Sequence, residues 1–324
     1  MKKIVTTLAA LFISAMAFSQ TPPTLKEENL KGKVYRVIYT NYEYSENFGE
    51  PKEGKQRFMR ECYYDSLGRA VFFNYGENNL YFWVQYNQKG NNAIAGMLEH
   101  YSRAEIEELE NYTSKDFVSG NNFFNYREIT YNSYNIVTKY DIYEFGRLKH
   151  RKTANPIGNG TYECKLYGAD GNTALEYIET YNSKGQLTMV DNEREYNRIR
   201  AWKSEIEIPH AGTYKYNNKG QLVSYQEQKD SMPRIYESVY NEHGDIIERY
   251  VSTVNKGVAS KKGIAAVYED YKYDDKGNWI YRIISNGEKK YYIEKRQIEY
   301  YNSTRELDSI MNKAYSNYPV INVN

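Results

Sequence analysis

Four histidines, two cysteines and a large pool of carboxylates are the groups of this chain that could support acid–base, nucleophilic or metal chemistry. His100, His150, His210 and His243 each stand alone, with no second His or Cys at the spacing from which a zinc site is built. Cys62 and Cys164 are too few for such a site; they leave open one disulfide in an oxidising compartment or two buried thiols. Serine nucleophile elbows, Walker loops and glycine-rich dinucleotide fingerprints are absent. Hydrolysis of a glycan needs only two converging carboxyl groups, and the chain has 42 acidic residues, but no pair is singled out by an apolar setting. No catalytic residue, cofactor or metal ligand is therefore assigned, and the expectation is a protein that is not an enzyme.

Binding chemistry is better represented. The chain carries 37 tyrosines, together with Trp83, Trp202 and Trp279. Aromatic rings exposed on a rigid sheet can stack on sugars or anchor a protein interface; buried, the same rings are cross-strand packing. Tyr81 and Trp83 in 80-LYFWVQY-86 and Tyr291 and Tyr292 in 290-KYYIEKRQIEYY-301 lie outside any turn and are the candidate ligand-surface aromatics.

The elements that would hold these rings are written as a repeat. Tyr, Asn or Asp, two variable residues, Gly, one residue and an apolar side chain recur in 64-YDSLGRAV-71, 86-YNQKGNN-92, 181-YNSKGQL-187, 216-YNNKGQL-222, 240-YNEHGDI-246 and 273-YDDKGNW-279. Weaker copies are 131-YNSYNIV-137, with Asn135 at the glycine position, 143-YEFGRL-148 and 167-YGADGNT-173. The Asn suits the first position of a type I turn, and the Gly can take the positive φ that closes the hairpin with a G1 bulge. Counting outward pairs Tyr181 with Leu187, Tyr216 with Leu222, Tyr240 with Ile246 and Tyr273 with Trp279, so that each motif Tyr pins a register. The structural repeat positions are thus Tyr64, Gly68, Tyr86, Gly90, Tyr181, Gly185, Tyr216, Gly220, Tyr240, Gly244, Tyr273 and Gly277. Simple alternation beyond the last turn places Tyr271, Tyr273, Trp279, Tyr281 and Ile283 on one face and Lys272, Arg282 and Ile284 on the other. Unequal spacing between the glycines speaks against a solenoid of fixed rung length and for a meander of unequal hairpins.

Over roughly residues 60–300 these copies resemble the YD repeat, or Rhs repeat, of exported bacterial proteins, most specifically in 64-YDSLGRAV-71, 181-YNSKGQL-187 and 273-YDDKGNW-279. The resemblance implies an antiparallel β-hairpin array and an exported location. It carries over no catalytic residue. Large members curl into a shell around a toxin; this chain is far shorter, with no evident C-terminal toxin region.

The fold class expected is all-β: an antiparallel β-hairpin repeat array, an open, twisted or curled meander, with one short inserted helix and a C-terminal helix. Residues 1–19, with Lys2-Lys3 before an apolar run and small residues at Ala17 and Ser19, read as a signal peptide. Residues 20–33 read as an extended lead-in, 34–302 as the hairpin domain and 303–324 as a helix and tail; Ser102 and Glu105, then Ser303 and Glu306, are spaced as capping boxes that open helices near 102–112 and over 303–315. The Pro- and Gly-rich 153-TANPIGNGT-161 reads as a long loop within one architecture. With 43 basic against 42 acidic residues there is no sustained field for nucleic acid or an anionic membrane surface, and no transmembrane segment is expected in the mature chain. Asp65-Ser66-Leu67, Asp230-Ser231-Met232 and Asp308-Ser309-Ile310 share the pattern of a bacterial O-glycosylation sequon. These features lead to an expected periplasmic, cell-surface or extracellular repeat protein that offers a Tyr-rich β surface to a glycan or a cell-surface protein. The alternatives are an envelope scaffold with internal tyrosines, and a glycan hydrolase with an unrecognised carboxylate pair.

Overall fold

The computed structural model describes residues 23–74, 81–86, 92–98, 125–144, 147–191, 209–228, 232–255 and 257–301. The anticipated signal peptide, both anticipated helices and Gly90 lie outside these residues. Among the described residues every regular element is a strand. In chain order these are β1 (Val34–Asn47), β2 (Glu50–Tyr64), β3 (Ala70–Asn74), β4 (Tyr81–Tyr86), β5 (Asn92–Leu98), β6 (Asn125–Tyr131), β7 (Val137–Glu144), β8 (Arg147–Gly158), β9 (Thr161–Tyr167) and β10 (Thr173–Tyr181). There follow β11 (Leu187–Asp191), β12 (Gly212–Tyr216), β13 (Leu222–Glu227), β14 (Arg234–Tyr240), β15 (Ile246–Asn255), β16 (Val258–Ala259), β17 (Gly263–Tyr273), β18 (Trp279–Ser285) and β19 (Lys290–Tyr300).

Neighbours in sequence are neighbours in the sheet, and all pairings are antiparallel; β16 is a short spur on the end of β15, which otherwise pairs with β17. The meander also closes. β1 lies against β2 on one side, with Val37 opposite Cys62, and against β19 on the other, with Val37 opposite Ile298. Closure removes the two free edges that an open meander would leave for other chains to pair with.

The repeat hairpins form in the expected register. Tyr64 faces Ala70, Tyr131 faces Val137, and Tyr181, Tyr216, Tyr240 and Tyr273 face Leu187, Leu222, Ile246 and Trp279. In each turn the Asn or Asp side chain accepts backbone N–H groups just ahead of it, as Asn217 does from Lys219 at 3.0 Å and Gln221 at 3.0 Å. Gly185 has φ 74°, and a β-carbon there would lie 2.5 Å from the Tyr134 carbonyl oxygen, so both conformation and packing demand glycine. Asn135 substitutes for it with φ 59°.

Simple alternation fails just after each turn. The register slips by one residue past the apolar position, leaving Val71, Thr138, Thr188, Val223, Ile247 and Ile280 without an opposite number. The bulge reverses the side-chain parity that follows. Hence Arg282, not Tyr281, shares a face with Trp279, its guanidinium 4.1 Å from the indole centroid. The stretch expected as a long loop at 153–161 is instead a hairpin, Asn155 facing Glu163 and Gly158 facing Thr161, with Pro156 accommodated where the ladder shifts register.

One face of the sheet carries the core. Val34, Val37, Cys62, Tyr64, Ile129, Tyr140, Cys164, Leu166 and Val190 are buried together, and Ala266, Tyr268 and Ile284 form a smaller cluster. The alternate residues face away. Along β9, Tyr162, Cys164 and Leu166 are buried while Glu163 and Lys165 point outward, and Lys165 meets Glu163 and Glu176 at 3.4 and 3.2 Å.

Strand alternation places the turns after β2, β6, β10, β12, β14 and β17 at one end of the ring, together with the start of β1 and the end of β19. Residues 24–31 cross this end. They coil into a compact turn rather than running extended: Thr24 N donates to Glu27 Oε2 at 2.8 Å and Glu27 N donates to Thr24 Oγ1 at 3.2 Å, a reciprocal cap. The turn is fastened to several walls, with Leu25 N donating to Gly68 O, Asn29 Nδ2 to Asp245 Oδ1 and Lys31 Nζ to Gly277 O, at 2.9, 2.8 and 2.8 Å.

Candidate functional site

The motif tyrosines are taken up by the fold itself. Adjacent hairpins splay apart toward the turns, so the ladder between them stops short and leaves the carbonyl of the apolar position unpaired. The tyrosine hydroxyl of the next repeat donates to it: Tyr86 to Ala70 O at 3.0 Å, Tyr216 to Leu187 O at 2.8 Å, Tyr240 to Leu222 O at 2.8 Å. At the next junction the bulge at Asp270 passes the task to Tyr271, which donates to Ile246 O at 2.5 Å. A second bond runs the other way between consecutive turns, Gln186 Nε2 to Gly220 O at 2.8 Å and Gln221 Nε2 to Gly244 O at 3.0 Å. Tyr64 is fully buried, whereas Tyr134, a turn residue, is 61% exposed.

The candidate aromatics outside the turns are not brought together. Tyr81 and Trp83 occupy β4, opposite Leu98 and Gly96 of β5, while Tyr291 and Tyr292 lie on β19. As neighbours on one strand the latter two point to opposite faces; Tyr292 packs on the smaller core cluster and Tyr291 takes Lys289 Nζ at 5.8 Å from its ring centroid.

Groups that could do chemistry are likewise occupied. His243 stacks on Tyr273 at 4.2 Å between centroids, and His210 lies 6.3 Å from Tyr225. No group of three or more His, Cys, Asp or Glu able to hold a metal occurs among the described residues. Cys62 and Cys164 are free and buried, and burial pushes the Cys62 thiol up to about 12. Glu179, fully buried, accepts Lys152 Nζ at 2.6 Å, Tyr177 at 3.1 Å and Tyr181 at 2.7 Å. Burial opposes its ionisation, but the Lys152 charge and these donors prevail and hold its carboxyl below the usual range.

The candidate site lies on β12–β15. On the core-side face Tyr214, Tyr225 and Tyr236 form a cross-strand ladder, centroids 4.7 and 5.8 Å apart, each ring partly buried. On the opposite face is a groove of about 310 Å³ lined by Thr213, Lys215, Ser224, Gln226, Ile235, Glu237 and Ser252. Alternation explains the lining, since these residues are the outward partners of the tyrosine ladder: Thr213 faces Gln226, Lys215 faces Ser224, and Ser252 faces Ile235. The β16 spur supplies the wall with Ala259, Ser260 and Lys262. Gly257, at φ 79°, lets the chain fold back, and Ser260 Oγ accepts Thr253 N at 2.9 Å. Lys262 Nζ holds Glu237 at 2.7 Å and stands 5.9 Å from the ring centroid of Tyr250, which is directly opposite Glu237 across β14 and β15. The groove thus offers hydroxyls, an amide and both signs of charge, with its carboxylate already engaged by a lysine. Sequence reasoning missed it, because an alternating polar residue on a strand looks the same whether or not a spur folds over it.

No family model matches the chain, and no curated protein matches it. Among solved structures it is similar to a porin-like protein from Bacteroides uniformis, at 12% identity and a TM-score of 0.36, over 86% of this chain and 99% of that one. A β-barrel-like protein of a domain of unknown function from Brucella abortus aligns at 7% identity and a TM-score of 0.17, over 84% of this chain and 100% of that one.

Proposed function

We propose that this chain is an exported, non-enzymatic binding protein that takes a glycan in the groove on the outer face of β12–β15. The observation that carries the reading is the groove's lining. Thr213, Ser224, Ser252 and Ser260 hydroxyls, the Gln226 amide and the Lys262–Glu237 pair surround a space of about 310 Å³, with Tyr250 next to it, opposite Glu237. Such donors and acceptors match a polyhydroxylated ligand, and the neighbouring Tyr250 ring adds an apolar surface beside them. Glu237 is the one carboxylate in the lining and is held by Lys262, whereas glycoside hydrolysis uses two converging carboxyl groups, which favours binding over hydrolysis. Compared with the surface expected from the sequence, the proposed ligand contact moves from Tyr81, Trp83, Tyr291 and Tyr292 to the polar outer face of β12–β15.

The outward charges also bear on location. Among the described residues no helix is long and apolar enough to cross a membrane. The face away from the core carries Arg36 between Glu61 and Glu299, Glu163, Lys165 and Glu176. A lipid-facing strand would lose roughly 2–4 kcal/mol for each mid-membrane Arg or Lys, so we read the ring as standing in water. The hairpin register supports the YD-repeat resemblance, which we retain as part of the proposal.

Glycan-array screening of the mature chain tests the assignment. Binding that falls at least tenfold in Gln226→Ala and Glu237→Gln, with unchanged melting temperature, is the expected result; retention of full binding by both variants would remove the groove from consideration. A second reading, an envelope scaffold without a small ligand, draws on the internal hydrogen bonds of the motif tyrosines. It predicts an empty array.

A further inference from the structure

Across β2, β1 and β19 three inward side chains stand in one row: Arg60 is directly opposite Tyr39, which is directly opposite Arg296. Both guanidiniums lean on the central ring, at 4.1 and 4.7 Å, and Arg296 also lies 3.8 Å from the Trp279 centroid. Two cations side by side, Arg296 buried and Arg60 largely so, repel, and a wall built to be self-sufficient supplies their counter-charge from its own strands. One step along it does so, since Arg282 on β18 is paired with Glu294 on β19 at 2.5 Å. Arg60 and Arg296 differ. Their carboxylate, Glu28, comes from the lead-in turn and from no strand of the ring.

The fit of that carboxylate is close. Arg60 Nη2 donates to Glu28 Oε1 and Oε2, both at 3.0 Å, and Tyr39 OH donates to Oε2 at 2.6 Å. Arg296 Nη2 lies 3.9 Å from Oε2 and donates to the Glu28 backbone carbonyl at 3.2 Å. Donor capacity is left over: Arg296 is 8% exposed, yet its Nε and Nη1, with Arg60 Nε, have no hydrogen-bond partner among the described residues. Charge-assisted donors converging from two guanidiniums and a phenol, on an aromatic floor, are the components of a carboxylate receptor.

We propose that the Arg60–Tyr39–Arg296 row is a carboxylate-binding site whose resident ligand is the chain's own Glu28, tethered through the lead-in. The site recognises the carboxylate group and not the rest of its bearer, so a small free carboxylate occupies it once the Glu28 side chain is gone. This inference is independent of the groove on β12–β15.

Chemical rescue tests it on the full mature chain. Glu28→Ala leaves two largely buried cations without their partner and lowers the melting temperature. Sodium formate or acetate then restores it saturably, by roughly 2–4 °C at about ten times the dissociation constant, while sodium chloride at equal ionic strength does not. Wild type and Glu28→Gln, whose side chains fill the space, show no such selective rise. Equal action of formate and chloride on Glu28→Ala, or equal stabilisation of wild type by formate, would overturn the proposal. If Glu28→Ala does not fold in plain buffer, refolding yield is compared in formate and in chloride: a higher yield in formate supports the site, and equal yields count against it.

Discussion

Replacing Tyr86, Tyr216 and Tyr240 together by Phe keeps each ring, its cross-strand packing and its volume, and deletes only three hydroxyls. Each hydroxyl donates to a carbonyl that the backbone ladder does not reach, at 3.0, 2.8 and 2.8 Å. Loss of one such bond costs about 0.5–1.5 kcal/mol, toward the upper end where the stranded carbonyl is shielded from water. The three hydroxyls lie on different hairpin junctions and donate to different carbonyls, so their costs sum to roughly 3 kcal/mol. With a urea slope of a few kcal/mol per molar, as expected for a chain of this size, the unfolding midpoint drops by about 1 M. Tyr134→Phe is the control: its ring is 61% exposed, and the change should stay within about 0.5 kcal/mol. A triple variant that unfolds at the wild-type urea concentration would show that the hydroxyls do not fasten one hairpin to the next.

Lys152→Met strands the fully buried Glu179 carboxylate, and a loss of about 3–5 kcal/mol in urea unfolding is expected; a loss under about 1 kcal/mol would mean that the pair is not desolvated. Burial raises the phenol pKa values of Tyr216, Tyr271 and Tyr273 to about 12. Because these folded values exceed the unfolded one near 10, the associated stability is intact below pH 10 and drains away as pH rises toward 12. Urea midpoints measured through that window should fall, and a flat profile contradicts the assignment. The carboxylates of Glu28, Glu179 and Asp141 are held below their usual range, so their contribution is present above about pH 5 and is lost as acid protonates them. Native protein should react with a maleimide at neither Cys62 nor Cys164 until denaturant is added.

Local features of this fold are legible in the sequence because hairpins are local. Asn182, Gly185 and the six-residue step from Tyr181 to Leu187 specify turn, bulge and register without help from the rest of the chain. Asn135 at positive φ shows the same logic with a substitute residue. What the pattern does not contain is anything that brings β1 to β19, since pairing between strands so distant in sequence leaves no periodic trace. The extra bulge after each apolar position escaped for a different reason, as Val223 or Ile280 looks like any other strand residue. By contrast the turn in the lead-in was readable: Thr24 and Glu27 have capping-box spacing, overlooked beside the two prolines before them. The groove depends on a two-residue spur, and the Arg60–Tyr39–Arg296 row on three strands in register; neither arrangement is encoded by a stretch short enough to inspect.

Mutual pairing of the first and last strands has a kinetic cost. While the polypeptide is being made, β1 waits with one flank bare until β19 emerges, the longest separation any contact in this ring can have. High contact order of that kind slows folding, and every partly built intermediate shows a row of idle amides and carbonyls at its growing margin. Rapid completion, or a helper that masks that margin, decides between a sealed ring and strand-to-strand association with another copy.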